Sequence, residues 1–452
     1  MKGSKWQVAG GRKVAGIREQ GKSSKTLLPA GFNNKKPLVM HIDLNSCFAT
    51  VEQQARPRLR GRPVAIVNRR TEHTAIVTAS YEAKAMGVKV GMKLKEAKKL
   101  CPGLIGVESD PAKYRYVYHK LMDIMRRYSP SFTMKSIDEG VIDFKQTTAE
   151  LRGRDMQDIG QEIKQRLKDE VGCAMRCNIG IATNRFLAKT AAGLHKPDGM
   201  DVLTSHNIRQ VFDTLKLTDL TGIAYRNEHR LNAVGIYTPL QFLEADAEIL
   251  AKVVFKSVCG YEWHQRLRGW EVDDVSYDLK TAGRQYVLEQ RNLPRADVLA
   301  RLHTLAEATG AKLRSQGKSA RGVGVYARMV GVKGLGESNG RWGQKGNYWH
   351  QKYLSPLPFF SDKAIWAIAS RLFANVPQGD IREIGLHTYH LHDGLSDQLT
   401  LFGDELALEQ QVTWAIDEIN QRYGERTIHS ADTMQSSEIV KTKIPFGSTR
   451  YL

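Results

Sequence analysis

The residues of this 452-residue chain whose types and spacing can do chemistry are three acids, Asp43, Asp138 and Glu139. Asp43 closes the apolar run Pro37-Leu-Val-Met-His-Ile-Asp43, and a helical-looking stretch, 46–54, follows with no Gly or Pro between them. Asp43 therefore stands where a strand meets a helix. Asp138 and Glu139 lie in Lys135-Ser-Ile-Asp-Glu-Gly140, between two strand-like segments, 132–134 and 141–144. Neighbours in a regular strand point to opposite faces, so this pair reaches one site only from a strand end or a tight turn. The connection 136–140 supplies one. Three carboxylates converging there form a hard oxygen site suited to Mg2+, and two such ions about 3.5–4 Å apart are the usual engine of phosphoryl transfer. Singly, each acid reads as a surface or capping residue, and adjacent Asp-Glu pairs are common, so the surroundings have to decide.

The elements that must hold these acids alternate along the chain. After the strand at 37–43 and the helix at 46–54, the pattern predicts a strand at 75–79, helices at 81–86, 95–100 and 114–128, and the two short strands around Asp138. A helix at 156–170, a strand at 178–181 and a helix at 184–194 complete a mixed α/β domain ending near residue 205, with both antiparallel and parallel pairing. Residues 206–279 read as a small helical module, with short helices broken at Gly222, Gly235 and Gly260. From Lys280 the order becomes strand (283–288), helix (296–315), strand (322–330), helix (362–374) and strand (384–390), a β-α-β-β-α-β order if one more strand lies near 348–353. The fold class is thus α+β and multidomain, as about three domains of roughly 150 residues would suggest.

Charge is unevenly placed. The net charge is +19, of which residues 1–36 carry +8, residues 37–279 +6, residues 280–391 +10 and residues 392–452 −5. Two basic modules flanking a nearly balanced body suit a polyanion with many phosphates, and nucleic acid leads. Residues 1–36 are Gly-, Ser- and Lys-rich without periodicity and read as a disordered basic arm. Apolar residues make up 41% of the chain, enough for several cores, yet no apolar run approaches the roughly 18 residues of a membrane span. The five scattered cysteines argue for a reducing compartment, and Cys173 and Cys177 have no second pair at zinc-finger spacing.

Four motifs in order give the acids their context: Asp43-Leu-Asn-Ser-Cys-Phe48-Ala-Thr-Val-Glu52, Thr78-Ala-Ser-Tyr81-Glu-Ala-Lys84, Ser136-Ile-Asp-Glu139, and Leu187-Ala-Lys189 through Lys196-Pro-Asp-Gly199. Together they resemble the Y-family translesion DNA polymerases, the group of bacterial DNA polymerase IV and UmuC-like enzymes, from about Pro37 to about Phe402. The resemblance implies a right-hand polymerase: a ferredoxin-like palm at 37–205 with small fingers inserted at about 58–112, a helical thumb at 206–279, and a βαββαβ little finger at 280–391. It implies that Asp43, Asp138 and Glu139 bind two Mg2+ ions, with the backbone carbonyl of Leu44 as a further ligand. Phe48 matches the steric gate, whose ring stands where a ribose 2′-OH would sit. Tyr81 and Lys84, three apart on one helix face, resemble the pair that grips the incoming dNTP, with Thr78 beside them and Lys196 reaching the same phosphates. Lys189 matches a family position that serves the site or lines the DNA.

Further likenesses concern DNA and a partner ring. Leu220-Thr-Gly222-Ile-Ala resembles a helix-hairpin-helix, whose backbone N–H groups grip a phosphate without reading sequence. Arg284, Arg321 and Arg328 fall in the +10 module as contacts to backbone phosphates. Gln398-Leu399-Thr-Leu401-Phe402 resembles the clamp-binding peptide of bacterial polymerases and opens the segment 392–452, whose remainder is a C-terminal tail. Some positions depart from the family: Leu44, Ser46 and Cys47 replace residues often acidic or aromatic, Lys84 replaces a frequent Arg, and Gly140 a common Ala. Lys for Arg exchanges a bidentate fork for a point charge.

The expected function is error-prone, template-directed translesion synthesis by two-metal-ion transfer from dNTP to a primer 3′-OH. The expected partners are primer-template DNA, dNTPs and a sliding clamp, with no membrane. The expected setting is a cytoplasmic monomer. Rival readings are a catalytically weak accessory protein that binds DNA and clamp, a nucleotidyl cyclase or other two-metal nucleotide enzyme on a related palm, and an architectural DNA binder.

Overall fold

The computed structural model describes residues 31–274, 278–330, 337–338, 346–394, 404–437 and 440. Chain order starts with strand β1 (Val39–Leu44), helix α1 (Cys47–Ala55), strands β2 (Val64–Val67) and β3 (Ile76–Ala79), and helices α2 (Tyr81–Ala85) and α3 (Leu94–Leu100). Strand β4 (Ile105–Glu108), helix α4 (Pro111–Arg126), and strands β5 (Phe132–Met134) and β6 (Glu139–Asp143) come after them. Next are helices α5 (Ala149–Gly153) and α6 (Met156–Glu170), strand β7 (Cys177–Ala182), helix α7 (Arg185–Leu194) and strand β8 (Met200–Val202). A run of helices succeeds them: α8 (Ile208–Asp213), α9 (Tyr225–Asn232), α10 (Pro239–Glu244), α11 (Ala247–Ile249) and α12 (Cys259–Leu267). The rest is β9 (Thr281–Val287), α13 (Arg295–Ser315), β10 (Lys318–Val330), β11 (Glu337–Ser338), β12 (Gly346–Phe359), α14 (Asp362–Phe373), β13 (Asp380–Asp393), α15 (Asp404–Tyr423) and α16 (Met434–Ser437). The chain divides into two compact units, one from Met1–Arg60, Lys120–Thr133 and Glu139–Asp274, the other from Gly61–His119, Met134–Asp138 and Val275–Leu452.

In the first unit, five strands run in the order β5-β6-β1-β7-β8, with β1 antiparallel to both β6 and β7 and β7 parallel to β8. A central strand covered on both faces reads as a near-continuous apolar run rather than an alternation, and β1 obeys this with Val39, Met40 and Ile42 wholly buried. Glycines let the helices approach. A Cβ on Gly180 of β7 would stand 1.9 Å from the carbonyl oxygen of Ala188, so α7 presses directly on that strand. A Cβ on Gly160 of α6 would meet Met200 Sδ at 2.6 Å and Ile179 at 3.5 Å, and Ile179 points to the face opposite Gly180. Hence α7 covers one face of the sheet and α6 the other. The helices at 208–267 share a core with α7, in which Phe212, Phe242, Trp263 and Leu267 pack with Phe186 and Leu187. The Phe186 and Trp263 rings meet edge to face, 5.5 Å between centroids.

In the second unit, a small sheet of order β3-β2-β4 packs Ala65, Val67 and Ile76 against Ala83 of α2 and Leu94 of α3. A larger sheet runs β11-β12-β10-β13-β9, antiparallel throughout. Val323, Val325 and Ala327 of β10 alternate inward onto Val298, Leu302 and Leu305 of α13 and Ile365 and Phe373 of α14. The helices thus cover one face of that sheet.

Every helix and strand anticipated from the sequence is present, within a few residues at its ends. The structure adds β2, β4, β8, β11, α5, α15 and α16. The added strands are two to four residues long, too short to show a period. Helix α15 was hidden for another reason. Its Leu408, Val412 and Trp414 are exposed, at 62%, 51% and 51%, so no clean apolar stripe marks it. It is fixed instead by charge: Arg314 of α13 forks into Asp417 of α15 at 2.6 and 2.8 Å and into Asp362 of α14 at 2.7 Å.

Candidate active site

Strand period and register bring the acids together. His41 and Asp43 are two apart on β1 and share a face, and Glu139, the first residue of β6, is the direct register partner of Asp43. On the other side of β1, Asn178 lies opposite Asp43 and Gly180 opposite His41, so this is the face that α7 covers. One potential ligand atom from each of His41, Asp43 and Glu139 lies within 4.8 Å of the other two. Asp138, the preceding residue, is not among these three; its carboxylate accepts a hydrogen bond from the Ser136 hydroxyl.

Two ammonium groups attend the cluster. Lys189 of α7 donates to both oxygens of Glu139, at 2.8 and 2.7 Å, and Lys196 donates to Asp43 at 2.6 Å. His41, 1% exposed, places Nε2 3.1 Å from Glu139. Burial alone would raise the Glu139 pKa, but the hydrogen bonds and charges of His41 and Lys189 outweigh it and hold the carboxyl at about 2. The glutamate is therefore a carboxylate at any working pH. Oxygen donors kept ionised and balanced by cationic neighbours are the donor set that a hard divalent ion takes.

A polar web fixes the loop that carries Lys196. Asn45 donates to Asn178 at 2.9 Å and accepts the backbone N–H of Asp198 at 2.7 Å. Asn178 donates to the carbonyl of His195 at 3.0 Å. Both asparagines are buried, so the bond between them is made where water cannot replace it. His41, Asn45 and Asn178 were missed in the sequence. The one available signal was His41's position two residues before Asp43, which in a strand means the same face.

The other anticipated residues fall on described elements. Leu44 ends β1 and is buried; Phe48, the second residue of α1, is 3% exposed. Thr78 lies on β3, and Tyr81 opens α2 behind Ser80, whose hydroxyl accepts the N–H of Ala83 as a helix cap. The ammonium of Lys84 lies 4.7 Å from the centre of the Tyr81 ring, a cation–π contact that fixes the pair. Gly222 sits at φ 95 just before α9, a conformation open to glycine. Arg321 donates to the carbonyl of Ser355 at 3.1 Å, Arg328 lies 3.6 Å from Glu383, and Arg284 is on β9. Gln398, Leu399, Leu401 and Phe402 lie outside the described residues, as do residues 1–30.

Comparison with known proteins decides the class. Residues 42–193 match the impB/mucB/samB family and residues 282–401 its C-terminal domain. The chain is 31% identical over 412 residues to DNA polymerase IV of Moorella thermoacetica, covering 89% of this chain and 97% of that one. The chain belongs to the Y family of translesion DNA polymerases. It is a DNA-directed DNA polymerase of this family, concerned with translesion synthesis and DNA repair. DNA polymerase IV 1 of Bacillus subtilis is 27% identical, covering 90% of this chain and 96% of its own. A solved Y-family polymerase chimera, Dbh-Dpo4(243-245)-Dbh, shares the fold with a TM-score of 0.63 at 20% identity, covering 79% of this chain and 99% of that one. Y-family polymerases depend on metal ions, and the carboxylate cluster at Asp43 and Glu139 fits that need. No described helix is long and apolar enough to cross a membrane.

Proposed function

We propose that this Y-family polymerase carries out error-prone, template-directed synthesis past damaged bases by two-metal-ion transfer of a nucleotidyl group from dNTP to a primer 3′-OH. The observation that carries the reading is Asp43 facing Glu139 across paired strands, each held by its own lysine. Asp43, Asp138, Glu139 and the Leu44 carbonyl would hold two Mg2+ ions, which when bound lower the pKa of the 3′-OH and offset charge on the departing pyrophosphate.

The chain's own groups do the rest. Lys196 exchanges Asp43 for the triphosphate, which Tyr81, Lys84 and Thr78 grip from the fingers. Phe48 denies room and a polar partner to a ribose 2′-OH. His41 and Lys189 keep Glu139 ionised and aimed. We assign 37–205 to palm and inserted fingers (about 58–112), 206–279 to the thumb and 280–391 to the little finger. Gly222, Arg284, Arg321 and Arg328 serve the DNA backbone, so binding weakens steeply with salt. Gln398, Leu399, Leu401 and Phe402 bind a sliding clamp, and the enzyme works as a monomer in the cytoplasm.

Primer extension with Mg2+ tests this. Asp138→Ala is expected to abolish synthesis, and Phe48→Ala to admit ribonucleotides. Templated extension surviving Asp138→Ala would refute the metal assignment, and unchanged sugar selectivity in Phe48→Ala would refute the gate.

A further inference from the structure

Helix α6 turns an apolar stripe onto the sheet of the first unit, with Met156, Ile159, Gly160, Ile163 and Leu167 buried, and a single lysine, Lys164, is buried among them. Lys164 stands one turn on from Gly160, which packs on Ile179, so it projects onto the same face of the sheet. That face is the one opposite α7 and the acid cluster. An ammonium placed there loses its water, and only a close partner offsets the loss. The partner is Asp198. Lys164 donates to its carboxylate at 3.1 Å and also to its backbone carbonyl.

A buried pair of this kind does little for stability, and a well-packed apolar side chain commonly serves a core as well. What the pair supplies is position. Asp198 stands at φ 60, in the left-handed region, which a residue other than glycine keeps where its surroundings hold it. Asn45 takes its N–H at 2.7 Å and Lys164 takes its carbonyl, so the backbone is held on both sides of the residue. Gly199 then closes the bend: a Cβ there would stand 2.1 Å from the carbonyl oxygen of His195, the same carbonyl that Asn178 binds. Loop 195–199 is thus pinned at His195 and at Asp198. Lys196 lies between the two pins, and its ammonium reaches Asp43 at 2.6 Å.

We propose that Lys164 is a positioning residue for the incoming nucleotide, acting through Asp198 on the loop that presents Lys196 to the triphosphate. The inference rests on the reading in which Lys196 binds those phosphates. A cation already in place binds a polyphosphate better than the same cation on a loose loop, because less freedom is lost in ordering it. Without Lys164 the Lys196 ammonium is still present but no longer aimed. The consequence therefore falls on nucleotide affinity, and Asp43 and Glu139, fixed by strand register, stay where they are.

Single-turnover primer extension by the full chain with Mg2+ separates the Kd of the correct dNTP from the rate of its incorporation. Lys164→Met is expected to raise that Kd by about three- to tenfold, the cost of ordering one long side chain, and to leave the rate within about threefold of wild type. Lys196→Met is expected to raise the Kd further, and in that background Lys164→Met should add less than about twofold, because one residue acts through the other. A merely structural loss would show equally in both backgrounds. An unchanged Kd in Lys164→Met, a loss confined to the rate, or a rise of equal size in the Lys196→Met background overturns the proposal. Primer-template affinity, read by fluorescence anisotropy, shows that the variant is folded. If Lys164→Met does not bind primer-template, Asp198→Asn decides: asparagine accepts the left-handed turn and removes the charge, so a raised Kd supports the proposal and an unchanged one overturns it. If Lys196→Met itself leaves the Kd unchanged, the phosphate role of Lys196 falls and the proposal with it. If Lys196→Met raises the Kd and Lys164→Met does not, the role of Lys196 stands and the proposal alone is lost.

Discussion

Lys189→Gln should make the DNA-free enzyme bind divalent ions more tightly, although it removes a contact from the active site. The Lys189 ammonium engages both Glu139 oxygens, at 2.8 and 2.7 Å, so an ion that coordinates Glu139 must take at least one of them from it. The gross attraction of two unit charges about 3 Å apart is roughly 5–6 kcal/mol at an effective dielectric of about 20. The lysine side chain is 35% exposed, however, and exposed pairs retain only about 0.2–1 kcal/mol once solvation and salt are counted. A half-exposed, bidentate pair should fall just above that range, at about 1–1.5 kcal/mol, which corresponds to roughly tenfold in affinity. Mn2+ titrations followed by electron paramagnetic resonance, without nucleotide, read this directly. Gln is close in length to Lys and keeps a donor, so a merely structural role would leave Mn2+ affinity unchanged or lower it. Either result would refute the claim that Lys189 holds the place of a metal ion.

Two further predictions concern stability. Arg314→Met should cost about 3–5 kcal/mol in urea unfolding, because its fork to Asp362 and Asp417 is 3% exposed at the arginine and removal strands Asp362, whose pKa burial already raises. A loss under 1 kcal/mol would show that α15 does not depend on that fork. Lys312 behaves in the opposite sense. Burial first, and then the charge of Arg284, hold its pKa down at about 7 against 10.5 in the ordinary case, so between those values the unfolded chain binds the extra proton. Stability from this group therefore rises as pH climbs from about 7 to 10.5, and at pH 7 and below its charge is a cost. Lys312→Met should raise stability at pH 7 by on the order of a few kcal/mol and flatten that rise. A variant no more stable than wild type at pH 7 would refute this.

How much of the site was legible depended on how far its partners lie in sequence. Asp43 and Glu139 were found because each ends or begins a strand and because their local motifs are distinctive. Their register is set by β1 and β6 pairing, which a strand end and a turn are enough to suggest. His41 was not found, because a histidine inside Val39-Met-His-Ile reads as core; it becomes a site residue only once Glu139 is placed diagonally across the strand pair. Asn45 and Asn178 were invisible for a similar reason, since their bond spans 133 residues and nothing local distinguishes either from a turn or edge asparagine.

Lys189 is the instructive case, because charge pattern alone assigns such a lysine to a solvated helix face. What turns it toward Glu139 is Gly180: with no Cβ there, α7 settles against β7 at backbone contact, and its polar side is carried over the sheet to the strand that bears Asp43. A glycine in a strand thus decides the electrostatics of a glutamate two strands away. The same device recurs in the large sheet, where Gly322, Gly324 and Gly385 let aromatic rings lie down. In both places, the lie of a neighbouring group is set by where a side chain is missing, and a missing side chain has no meaning until strands are paired. That is why the acids could be read along the chain and their setting could not.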